Sequence, residues 1–325
     1  MDNLTHSMVG ALMAQMGLKQ KTGLAMPVMI IGANIPDIDA VATYWGAESL
    51  AIRRGITHGP LALLVLPIFL WIAAILYDRW QGRNGRRPAG RAPVHYGWLL
   101  LLAYIATLSH PLFDWFNSYG IRLLEPFSHR WFYGDMIFII DIWIWGLLAG
   151  ALWRSRSLEK AGEARWWRPA HVGAAVLFVY ILANGAISQL ATQNMRQTIT
   201  EDMPSRAGGQ IVANPVPLTF WRREMLFGRE NQYYRATFSL FGRDGMIGSV
   251  SAIGADARPR DEIDRLRGAS LDPDLKSFLF WSRMPYLARA GSGDLRIYDA
   301  RFGNPLVKGR FSLPVPEDEI VERRK

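Results

Sequence analysis

Four long apolar runs set the pattern of the first two thirds of the chain. Pro60–Tyr77 and Val172–Leu190 contain no Asp, Glu, Lys, Arg or His. Tyr96–Phe113 contains His110 alone, and Met136–Trp153 contains Asp141 alone. Each is about the length that crosses the hydrocarbon core of a bilayer. Trp and Tyr crowd their edges, where amphipathic rings sit at the membrane–water boundary. A buried helix of a soluble protein also reads as apolar, but four such runs with aromatic edges favour membrane spans. Two shorter stretches, Leu4–Gly17 and Leu24–Ile35, flank the turn Lys19-Gln20-Lys21-Thr22-Gly23. They predict a helical hairpin packed on the other helices; crossing and re-entrant arrangements both remain open. The expected fold is an α-helical polytopic membrane domain over residues 1–193, with four long transmembrane helices and a short N-terminal hairpin.

Residues 194–325 have a different texture and predict a small β-rich extracytoplasmic domain. Leu218–Phe227 and Tyr233–Phe241 alternate roughly and are rich in aromatic and β-forming residues. Phe241-Gly242-Arg243-Asp244-Gly245 reads as a hairpin turn. Leu271-Asp272-Pro273-Asp274 offers a start signal for one helix over 272–284.

Charge orients the membrane domain. The net charge is +9, but its placement argues against a nucleic-acid partner. Arg79, Arg83, Arg86, Arg87 and Arg91 follow the first long run, and Arg154, Arg156, Lys160, Arg165 and Arg168 follow the third. Both loops are expected in the cytoplasm by the positive-inside rule. The loop around 114–134 holds only Arg122 and Arg130 and falls on the opposite side. The chain opens Met1-Asp2-Asn3 with no basic residue before Lys19, unlike a secretory signal. The expected location is a bacterial inner membrane, with membrane lipids as partners and the C-terminal domain in the periplasm.

Cysteine is absent, which excludes disulfides, thiolate zinc sites and a cysteine nucleophile. Any metal must be held by nitrogen and oxygen. Four motifs supply such donors: Thr5-His6-Ser7, Pro36-Asp37-Ile38-Asp39, Arg53-Arg54-Gly55-Ile56-Thr57-His58 and His110-Pro111-Leu112-Phe113-Asp114. Each is an ordinary cap, turn or bundle residue when taken alone. The topology set by arginine and lysine, however, puts all of them at one membrane face. His110 and Asp114 lie one helical turn apart and can address one ion. Asp37 or Asp39 can act as base or bridging ligand, and Arg53 or Arg54 can hold an anion. His129, Asp135 and Asp141 lie at the same face as further candidates.

The ordered set of Met-Asp-x-x-Thr-His at the N-terminus, Gly-Ala-x-x-Pro-Asp-x-Asp at 32–39, Arg-Gly-x-Thr-His at 54–58 and His-x-x-x-Asp at 110–114 resembles the YdjM-type family of inner-membrane metal-dependent hydrolases. Asp114-Trp115-Phe116-Asn117-Ser118-Tyr119-Gly120 adds to it, and the resemblance covers roughly residues 1–150. The order of ligands is also similar to that of the zinc phospholipase C and zinc nuclease group. These resemblances imply His6, Asp37, Asp39, His58, His110 and Asp114 as metal ligands, with Asp37, Asp39 and Arg54 as catalytic groups. They imply one or two divalent ions, zinc first, and hydrolysis by metal-activated water. The position at a membrane face points to a lipid, lipid-linked or phosphoester substrate. The competing expectations are a non-catalytic scaffold or sensor, and a transporter, each with a structural metal.

Overall fold

A computed structural model describes residues 1–202, 210–229, 232–242, 247–253, 262–263, 272–303 and 308–316. The chain divides into two compact units, Met1–Asp39 with Arg54–Gly185, and Ala40–Arg53 with Ala186–Lys325.

The first unit is helical. Asp2 opens α1 (Asn3–Gln15) by accepting from the Thr5 backbone N at 3.0 Å and the Thr5 hydroxyl at 2.6 Å. α2 (Ala25–Gly32) folds back against α1. The two approach closely at Gly10, where a Cβ would stand 2.4 Å from the Met29 carbonyl oxygen. α4 (Pro60–Arg83) and α5 (Tyr96–Trp115) pack on each other and on α2, burying Val28, Leu70, Ala74, Leu99 and Ala103. α6 (Ile142–Lys160) packs against α1, and Ile144 and Leu148 share a core with Val9, Leu12, Phe113, Leu177 and Ile181. The last two residues belong to α7 (Arg168–Asp202).

Among the described residues, α4, α5 and α7 are long and apolar enough to cross a membrane; α2 with the bent helical segment after it makes a fourth candidate. The third expected run is not one continuous helix. Ile137 instead forms a bridge with Asn117, and Asp141 caps α6 by accepting from Trp143 N at 3.0 Å and Ile144 N at 3.2 Å. The resulting helix ends in the polar stretch Arg154–Lys160. Outward faces of the long helices expose Leu64, Phe69, Ile72 and Leu76 on α4, and Val172, Phe178, Val179 and Leu182 on α7. Such surface suits acyl chains rather than water. At the end of α4, buried Asp78 binds Arg87 Nη2 at 2.7 Å and also pairs with Arg91, fixing the arginine-rich loop.

The second unit joins two antiparallel sheets. β1 (Ile211–Pro215), β2 (Arg222–Arg229), β3 (Gln232–Ser239) and β4 (Ser251–Ala252) lie in that order. Val212 faces Leu226, and Met225 faces Ala236. Ile187, Ala191 and Met195 from the last turns of α7 cover Ala213, Met225, Phe227 and Phe238. β5 (Pro285–Arg289), β6 (Leu295–Asp299) and β7 (Ser312–Pro314) form the second sheet. The expected helix is α8 (Pro273–Trp281), capped by Asp272. It packs against the short α3 (Ser49–Ile52). Part of the expected turn at 241–245 lies outside the described residues.

Asp299 and Arg301 form a fully buried ion pair, with Arg301 Nη2 2.9 Å from Asp299 Oδ2 and its Nε 2.9 Å from Oδ1. Burial alone would raise the Asp299 carboxyl, but Arg301 and the Ser282 hydroxyl hold it below the usual aspartate range. The pair therefore stabilises the unit above the unfolded value of 3.8, and its contribution is lost as pH falls through the lower folded-state value. Asp299→Ala, which leaves the guanidinium buried and unpaired, is expected to cost about 3–5 kcal/mol. Thermal unfolding of the solubilised protein, followed by tryptophan fluorescence, checks this against wild type.

Candidate metal centre

α4 begins and α5 ends at the same end of the first unit, and the polar residues gather there. Asp37 follows α2, His58 lies just before α4, and His110 and Asp114 occupy the last turns of α5. One ligand atom from each of these four residues lies within 4.8 Å of the others, and all four residues are buried. His58 Nε2 stands 3.2 Å from His110 Nε2. Asp37 Oδ1 is 3.9 Å from the former and 3.7 Å from the latter. Asp114 Oδ2 is 3.5 Å and 3.6 Å from the same two nitrogens. Nitrogen and oxygen donors around a tetrahedral divalent ion, at bond lengths of about 2.0–2.2 Å, stand roughly 3.3–3.6 Å from one another. The five separations above run from 3.2 to 3.9 Å and bracket that range.

The hydrogen-bond network gives the tautomers. His110 Nδ1 lies 2.7 Å from the Ala33 carbonyl oxygen, which can only accept, so Nδ1 carries the proton. Thr57 donates its hydroxyl to Asp39 Oδ2 at 2.7 Å. Its oxygen thereby accepts from His58 Nδ1 at 2.9 Å. Both imidazoles are thus protonated on Nδ1, and both Nε2 atoms face the same point between two carboxylates. Two nitrogens 3.2 Å apart in a buried site need a positive charge between them, either a further proton on one ring or a metal ion, and the two flanking carboxylates favour it. The donor set fits a divalent ion held by Asp37, His58, His110 and Asp114.

Asp39 sits on the other side of His58. Its Oδ2 accepts from the Arg54 backbone N at 2.8 Å and from Thr57, and lies 3.4 Å from His58 Nδ1. It orients the imidazole from behind, as carboxylates do around ligating histidines. Asp37 and Asp39, equivalent in the sequence, therefore have different places. The Arg54 backbone takes φ +53, a conformation disfavoured for a side chain, and the bond to Asp39 helps hold it.

Arg54 is not open to an incoming anion. Its Nη2 and Nε lie 3.0 Å from Asp114 Oδ1 and Oδ2, and its Nη1 donates to Asn117 Oδ1 at 3.0 Å and the Gly120 carbonyl at 3.3 Å. Its plane covers the Tyr119 ring at 4.6 Å. Arg53 is grouped with the second unit.

His6 stacks on His110 with ring centroids 3.8 Å apart, and its Nε2 is 3.3 Å from Asp114 Oδ1. It borders the four-residue cluster without belonging to it. Burial, followed by the nearby His110, pushes its imidazole down to about 3, so it is neutral. The Met1 amino group also reaches Asp114 Oδ1. His129 is two-thirds exposed and pairs with Glu125 Oε1 at 2.9 Å, away from the cluster. Asp141 is the α6 cap and accepts from the Tyr180 hydroxyl at 2.9 Å. Neither it nor Asp135 joins the four. Sequence reasoning missed Thr57 and Asn117 as individual participants, though both lie inside motifs it had singled out. Gly59 is required next to His58, because a Cβ there would lie 1.9 Å from the Glu125 carbonyl oxygen.

Residues 1–191 match the family described as "YdjM inner membrane protein". The chain is also 30% identical over 294 residues to "Uncharacterized protein YfhP" of Bacillus subtilis (strain 168), covering 87% of this chain and 80% of the relative. No solved structure matches.

If Asp39 positions rather than ligates, Asp39→Asn weakens divalent-ion affinity about 10–100-fold, while Asp37→Asn, which replaces a donor of the cluster, weakens it further. Competition against a chromogenic chelator measures both.

Proposed function

The chain belongs to the YdjM inner membrane protein family, and we propose that it is a membrane-bound hydrolase that uses a divalent ion, zinc first, on a lipid or phosphoester substrate. The observation that carries this reading is the pair of Nε2 atoms, 3.2 Å apart, converging between two buried carboxylates. All-nitrogen and oxygen ligation suits zinc in a protein without cysteine. Such an ion, when bound, supplies Lewis acidity, lowering the pKa of a water and polarising an ester oxygen.

The protein's own residues then divide the remaining work. Asp39 and Thr57 fix the tautomer of His58, and the Ala33 carbonyl fixes that of His110. Arg54 neutralises Asp114 and holds its orientation. Asp37 is 7% exposed, while His58, His110 and Asp114 are fully buried. Asp37 is therefore the carboxylate best placed to take a proton from an attacking water.

The substrate reading rests on what surrounds the ligands. Ile38 stands between two buried aspartates and is 61% exposed. Ile56, Leu112 and Phe127 are likewise exposed beside the His58, His110 and Glu125 segments. Each polar segment thus carries an outward apolar side chain, as a site met by acyl chains requires. The positive-inside rule, applied to the arginine-rich loops at the other end of the helices, supports an extracytoplasmic position for this end and a periplasmic one for the C-terminal domain.

The near-complete burial of the ligands favours a second reading, an ion that only stabilises the fold. Elemental analysis of detergent-solubilised protein, beside His58→Ala and His110→Ala, separates these possibilities when combined with hydrolysis of short-chain phospholipids. Roughly one equivalent of zinc, lost in both variants together with hydrolysis, is the expected result. Bound zinc without hydrolysis leaves the structural reading, and a protein that holds no ion after supplementation ends both.

A further inference from the structure

We propose that the side-chain amide of Asn117 is a substrate contact, donating a hydrogen bond from Nδ2 to a phosphoryl oxygen of the substrate. The proposal rests on the hydrolase reading and adds a residue that the ion-binding geometry does not use. Asn117 lies three residues beyond Asp114 and is fully buried. Its orientation is fixed, because Oδ1 accepts from Arg54 Nη1 at 3.0 Å and from the Tyr119 backbone N at 2.9 Å. Neither partner can accept, so the oxygen must be the atom facing them. Nδ2 is then left buried with no hydrogen-bond partner. A buried amide donor without a partner is uncommon and costly.

The same guanidinium that holds Oδ1 holds both oxygens of Asp114, so Arg54 links Asn117 to the cluster. The Asn117 backbone is pinned as well, by its bridge to Ile137. A donor held by two bonds, buried and unspent, is the form in which proteins present hydrogen bonds to oxygens that gain charge during reaction. It also does what Arg54, with its nitrogens spent on Asp114, Asn117 and Gly120, does not.

Asn117→Asp preserves the acceptor that Arg54 and Tyr119 use, removes the donor and adds a negative charge. Asn117→Ala removes both without adding charge. The probe is inorganic phosphate, titrated calorimetrically into zinc-loaded, detergent-solubilised full-length protein, alongside zinc content and steady-state hydrolysis of bis(p-nitrophenyl) phosphate. The expected result is unchanged zinc content in both variants, phosphate affinity at least ~10-fold weaker, and kcat lowered about 10²–10³-fold with a smaller change in KM. Phosphate affinity and kcat at wild-type levels in Asn117→Ala overturn the proposal. So does loss of zinc from both variants, which makes Asn117 a structural residue. A wild-type protein that holds zinc but does not bind phosphate also overturns it. A wild-type protein that holds no zinc fails at the earlier reading instead.

Discussion

His58 and His110 turn their Nε2 atoms toward each other in a buried place between two carboxylates, and the rest of the first unit is arranged around that convergence. Outside a protein the two rings would rotate apart or hydrate. Here the Ala33 carbonyl at the end of α2 holds one ring, and Thr57, with Asp39 behind it, holds the other. Three separate segments thus commit their backbone or side chains to a geometry that is unfavourable by itself. A cation between the rings and the two carboxylates reverses the sign of that energy, since opposite charges attract strongly where the dielectric is low. If the cluster holds an ion, its binding and the folding of this end of the bundle are linked.

Arg54 shows how the same constraint reaches further. A carboxylate as deeply buried as Asp114 needs a partner, and a guanidinium gives two parallel contacts where an ammonium gives one. That pairing consumes the arginine. It also organises Asn117, Tyr119 and Gly120 around its plane, so the turn after α5 takes its shape from the need to satisfy one ion pair. At the other end of the bundle Asp78 is met by Arg87 and Arg91 in the same manner. A buried aspartate at each end is paired with arginine, while the outward sides of α4 and α7 remain apolar.

The long helices were legible in the sequence because span length and charge exclusion are local properties. α4, α5 and α7 follow from them, and so does α8 from its Asp-Pro start. Met136–Trp153 misled because apolarity says nothing about pairing. Ile137 is apolar but serves a bridge to Asn117, and Asp141 is worth more as a cap than as an internal helical residue. His58, His110 and Asp114 were legible from motif order and shared topology. The separate places of Asp37 and Asp39 were not. Two residues apart in one turn, they differ only in which nitrogen of His58 they face, and that depends on Thr57 and on the backbone of Arg54. The reassignment of Arg54 from anion holder to partner of Asp114 has the same origin, because sequence gives a charge but not what has already claimed it.

On the proposed reading, the division between spent and unspent donors carries the argument about function further than the ligands do. A site that served only to stabilise the fold would gain from satisfying every buried group, since each orphan lowers stability. Asp39, Thr57 and the Ala33 carbonyl are used in that way, each closing a contact behind a ligand. His6 Nε2 and Asn117 Nδ2 are not; both are buried beside the cluster without a hydrogen bond. One offers a lone pair or proton close to Asp114, and the other offers a fixed donor. The surface around them is apolar at Ile38, Ile56 and Leu112, which on the proposed reading suits an amphiphile with a polar head better than a soluble anion.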